Sequence, residues 1–122
     1  MRRLKRLLSL ESKGSDFGTI VWTKADLWPG QRIITRLRRD ATGSLAVELV
    51  FRDLIRPDVL VYWAAGSEST VERLPDSARL LGALSNRSPL PIRVDARGAA
   101  GRLLLYSLAD HEMVAVSNPV RL

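Results

Sequence analysis

Asp110-His111-Glu112 places the chain's only histidine between two carboxylates, the residue types of acid–base and metal chemistry. The spacing argues against both uses. Consecutive side chains at a hairpin tip diverge, and a zinc site needs two or three further protein ligands. The chain has no second histidine and no cysteine, so a disulfide framework, a thiolate metal site and a cysteine nucleophile are also excluded. Asp53 and Asp58 bracket Leu54-Ile55-Arg56-Pro57. Paired carboxylates can serve glycosidase or calcium chemistry, but this spacing matches no ligand loop, and turn-forming aspartate explains both residues. Neither phosphate-cradling glycine pattern (GxxxxGK[ST] or GxGxxG) occurs, and there is no GxSxG nucleophile elbow. No pair of titratable groups has a mechanistic spacing, so the expectation is a non-enzyme without metal or cofactor.

Charge offers a different chemistry. The net charge of +6 is concentrated at the start of the chain. Arg2, Arg3, Lys5, Arg6 and Lys13 against Glu11 leave the first 13 residues at +4, and the other 109 carry +2. Leu4, Leu7 and Leu8 stand at i, i+3 and i+4 with the basic residues mostly around the other side, which predicts a short amphipathic segment. Such a tail, residues 1–16, suits an acidic partner or an anionic membrane surface, contacted by Arg2, Arg3, Lys5 and Arg6. The apolar part after the basic start, Leu7-Leu8-Ser9-Leu10, is too short for a secretory core, and no run reaches the length of a membrane span. The expected location is cytoplasmic, peripheral to a membrane if the tail engages one. Further along, Arg32, Arg36, Arg38, Arg39 and Arg52 make a basic hairpin, a candidate for nucleic acid. It lacks interleaved aromatics, and Glu48 offsets part of it, so a solvated sheet face is the favoured reading.

The elements that must position these residues have a period of two from Phe17 onward. Phe17–Thr23 reads as a strand, and Trp28-Pro29-Gly30-Gln31 carries the proline and glycine of a type II turn. Across Gln31–Asp53 the alternation of apolar and polar residues sets a register. A loop Ala41-Thr42-Gly43 closed by Asp40 and Ser44 aligns Leu37 with Val47, Thr35 with Leu49, Ile33 with Phe51 and Arg36 with Glu48. Gly43 then takes the left-handed position of the loop. Val59–Ala65 is an apolar strand, Ala78–Leu84 fits either another strand, the favoured reading, or a single helical turn, and Pro89 and Pro91 confine Ile92–Val94 to a sheet edge. Seven or eight short strands over residues 17–122 predict a single antiparallel β-sandwich, all-β, with an order of features similar to immunoglobulin-like and fibronectin-type-III-like domains.

Gly101–Asn118 carries two apolar runs around the histidine. A turn at Asp110-His111 pairs Leu108 with Met113, Tyr106 with Ala115 and Leu104 with Ser117 on one face, and Leu105 with Val116 and Ser107 with Val114 on the other. Both faces of this ribbon are then apolar, as are both sides of Val59–Ala65. In a sandwich these three strands are neighbours, and only one side fills the core. A loop or the N-terminal segment, with Trp22 or Trp28, could cover the other side. The alternative is a contact face for a protein partner or a second copy, built from Leu60, Tyr62, Leu104, Tyr106, Leu108 and Met113. The leading expectation is therefore a non-catalytic interaction module or accessory subunit. Behind it stand a carbohydrate- or small-ligand-binding sandwich that stacks on Trp22, Trp28 or Tyr62, and then a nucleic-acid binder.

Overall fold

A computed structural model describes residues 18–52, 58–66, 73–84, 89–92 and 99–122. The basic tail and Asp53 lie outside them. Nine strands occur among the described residues: β1 (Thr19–Lys24), β2 (Ile33–Arg39), β3 (Leu45–Phe51), β4 (Val59–Ala65), β5 (Arg79–Ala83), β6 (Leu90–Ile92), β7 (Ala100–Ser107), β8 (Glu112–Val116) and β9 (Val120–Arg121). They form two antiparallel sheets, β1-β2-β3-β6 and β5-β4-β7-β8, with β9 pairing the start of β7. No helix occurs among them. The expected count of seven or eight omits β9, two residues too short to carry a period of their own.

Alternation decides which side faces inward. Ile33, Leu37, Val47 and Leu49 of the first sheet meet Val59, Val61, Trp63, Leu103 and Leu105 of the second in one core. Each such side chain contributes about 1.5–3 kcal/mol when fully buried. Leu27 and Trp28 plug the core from the loop after β1, and the Trp28 indole Nε1 donates to Thr35 Oγ1 at 2.9 Å. That bond satisfies two polar groups deep in the sandwich, because Thr35 is itself fully buried. Trp28 is therefore a core residue, and the expectation of a ligand-stacking platform there is corrected.

The β2–β3 register is the expected one, pair for pair, from Ile33 opposite Phe51 to Arg36 opposite Glu48. Asp40 and Ser44 close the loop through an amide-to-carbonyl bond of 2.9 Å, and Gly43 has φ 88°. The type II turn also forms, with Gly30 at φ 75° and the Gln31 amide donating to the Trp28 carbonyl at 3.1 Å. Strand β6 is an edge strand as expected; it spans Leu90–Ile92 and includes Pro91, and Arg93 and Val94 of the expected strand lie outside the described residues. An edge tolerates proline because the missing N–H can face away from the partner strand.

The last hairpin differs. Its turn spans Leu108–His111, Ser107 and Glu112 form its closing pair, and Tyr106 stands opposite Met113. A bulge at Val114 then shifts the register, so Leu105 meets Ala115 and Leu104 meets Val116. Asp58 holds this turn, its Oδ2 accepting from the Ser107 hydroxyl and from the Ala109 amide. Ser107 Oγ in turn accepts from the Asp110 amide at 3.1 Å, and His111 takes φ 52°. Leu108 lies in the turn, outside the ladder, and the expected pair of Leu108 with Met113 is replaced by Tyr106 with Met113.

Candidate interaction face

The outward side of the second sheet is assembled from four strands. β4 supplies Leu60, Tyr62 and Ala64, and the pairing with β7 sets these against Tyr106, Leu104 and Arg102. β8 adds Met113 opposite Tyr106 and Val116 opposite Leu104. β5 adds Leu80 opposite Tyr62 and Ala83 opposite Leu60. The inward neighbours Val59, Val61, Trp63, Leu103 and Leu105 belong to the core, so this side is a second apolar surface of the same sheet.

Its centre is dry. Leu104 has 0% exposure and Ala64 6%, whereas Leu60, Tyr62, Tyr106, Met113 and Val116 are half-buried. The Tyr62 and Tyr106 rings meet edge to face, centroids 6.3 Å apart at 87°, a favoured geometry for aromatic pairs. Leu80, 56% exposed, extends the apolar surface at the β5 edge. Arg102 is half-buried on the same side and donates from Nη1 to the Ser117 carbonyl at 3.1 Å. Its Nε is buried and makes no hydrogen bond among the described residues.

Of the residues expected on this face, Leu60, Tyr62, Leu104, Tyr106 and Met113 come together. Leu104 is too deep to touch a partner and acts as the floor beneath the rings. Leu108, 49% exposed, sits in the turn instead of the ladder. Leu80 and Val116 were not among them. The short run around Leu80 does not reveal its inward side by period, and the register expected for the last hairpin puts Val116 on the opposite face, whereas it stands opposite Leu104. Arg2, Arg3, Lys5 and Arg6 lie outside the described residues.

The outward side of the first sheet is different. Arg38 Nε donates to Glu48 Oε1 at 2.9 Å, and Arg36 Nη1 stands 3.5 Å from the same oxygen. Arg38 also donates to the Gly18 carbonyl at 3.1 Å. Glu48 is only 6% exposed, so this charged face, expected to be solvated, buries its carboxylate while Arg32, Arg39 and Arg52 stay exposed. A carboxylate that deep needs both guanidinium partners. Two of the five hairpin arginines are thereby committed to internal pairing. Trp22, on the inner side of β1, packs on the core and has Lys24 Nζ 5.4 Å from its ring centroid.

His111 is exposed at the turn, and Asp58 is committed to holding that turn. Among the described residues no group of three or more His, Cys, Asp or Glu could hold a metal ion. No helix among them is long and apolar enough to cross a membrane. Compared with protein-family models, curated proteins and solved structures, the chain matches none.

Proposed function

We propose that this protein is a non-catalytic interaction module, an immunoglobulin-like or fibronectin-type-III-like sandwich that docks an acidic protein partner through the outward face of its second sheet. The observation that carries the reading is the continuous apolar surface of Leu60, Tyr62, Tyr106, Met113, Val116 and Leu80 on the side of the sheet away from the core. Aromatic, Met and Leu side chains are what interface centres favour, and a contiguous apolar patch marks a contact site. The two antiparallel sheets, β1-β2-β3-β6 and β5-β4-β7-β8, support a sandwich of immunoglobulin-like or fibronectin-type-III-like kind, with Trp63 on the central β4 and Tyr106 on β7.

The net charge of +6, with Arg2, Arg3, Lys5 and Arg6 on the tail, selects the occupant. Like charge disfavours a second copy and speeds encounter with an acidic surface. The partner therefore presents an apolar strip and carries net negative charge. A photo-crosslinking residue placed in cells at position 62 or 106, with position 34 on the other sheet as control, tests this. Crosslinks from 62 and 106 to one acidic protein, absent from 34, are expected. Crosslinks to another copy of the chain, or equal yields from all three positions, would overturn it.

A further inference from the structure

A groove of about 520 Å³ lies at the open end of the β2–β3 hairpin, lined in part by Gln31, Arg32, Ile34, Val50, Phe51 and Arg52. The register that sets Ile33 against Phe51, carried one step further, sets Arg32 against Arg52. Like charges directly opposite across a strand pair repel. Among the described residues neither guanidinium has a carboxylate at ion-pairing distance, since Glu48 pairs with Arg36 and Arg38. The same face therefore holds two arginine pairs, one bridged by an internal carboxylate and one with no such bridge among the described residues. Next to the unbridged pair the groove is apolar, with Ile34 opposite Val50 and Ile34 37% exposed.

We infer that this groove binds a small organic acid: a carboxylate between Arg32 and Arg52, with its apolar body on Ile34 and Val50. Guanidinium forks match a carboxylate's geometry, and the volume is that of a small-ligand site. A bare inorganic anion would leave the apolar floor unused. The site is on the opposite sheet from the proposed docking face and does not depend on it.

The test is an NMR titration of the full chain with octanoate, beside octan-1-ol and acetate, which carry the body and the charge separately. Saturable shifts at the amides of Gln31, Ile34 and Val50 are expected, with octanol and acetate each about tenfold weaker or more. Arg32→Gln and Arg52→Gln should each weaken octanoate by about tenfold, while Arg39→Gln, at the other end of the hairpin, should not. Both arginines are exposed, so unchanged spectra elsewhere verify that the variants fold. The inference is overturned by a lack of saturation at about 10 mM. It is equally overturned by shifts centred on Tyr62 and Tyr106, by octanol binding as tightly as octanoate, or by arginine variants that bind like the wild type.

Discussion

His111 shows what one residue can and cannot do here. Its backbone sits at φ 52°, a region that costs a side-chain-bearing residue roughly 1–2 kcal/mol and glycine little. His111→Gly should therefore raise the unfolding free energy by about 1 kcal/mol in urea denaturation. Lower stability would contradict the turn geometry. Asp40 is the other informative single residue. Its carboxylate accepts from the Thr42 hydroxyl and the Ser44 amide, which holds its pKa below the ordinary aspartate value. A lowered folded pKa contributes stability above the ordinary value, and that contribution is lost as pH falls through the lowered one. Asp40→Asn should flatten the acid limb of the stability–pH curve below about pH 4, measured by denaturation at successive pH values. An acid limb as steep as that of the wild type would contradict this. These roles differ in legibility. Asp40, Gly43 and Ser44 declare a loop in sequence, whereas nothing near His111 reveals that its turn is held by a residue elsewhere.

At the scale of elements, the two hairpins differ in how far sequence specifies them. In β2–β3 one face is apolar and the other charged, so a slip of one residue would bury arginines and expose leucines. That penalty makes the register readable. In β7–β8 both faces are apolar, so alternation permits more than one register, and the observed turn is held by Asp58, 49 residues before Ser107. Most of the strand content is readable, because β-branched and apolar runs between turn signals need no long-range information, whereas the two-residue β9 is not. The outward residues Leu60 and Tyr62 were readable for the same reason, whereas Leu80 and Val116 needed the pairings. Asp58→Ala would leave the buried Ser107 hydroxyl and the Ala109 amide without their acceptor. It should cost about 1–3 kcal/mol in urea and speed hydrogen exchange at Ala109. An unchanged midpoint would contradict the role of Asp58 as the residue that holds the hairpin's turn.

For the whole molecule, the two outer surfaces have opposite character. The first sheet resolves its buried charge internally through Glu48 and its two arginines. The second leaves tyrosine, leucine and methionine on the side its core does not use. Their positions at that surface separate two classes of substitution. Leu104, with no exposure, is part of the fold, so Leu104→Glu should unfold the domain, since an unpaired buried charge costs several kcal/mol. Tyr106 is half-buried at the surface, where a charge can reach water. The most direct measurement is therefore made on Tyr106→Glu, comparing its melting temperature with its crosslinking from position 62. The docking account expects a folded protein that melts within a few degrees of wild type and has lost the acidic partner. A variant that unfolds, or that folds and keeps the partner, would contradict it.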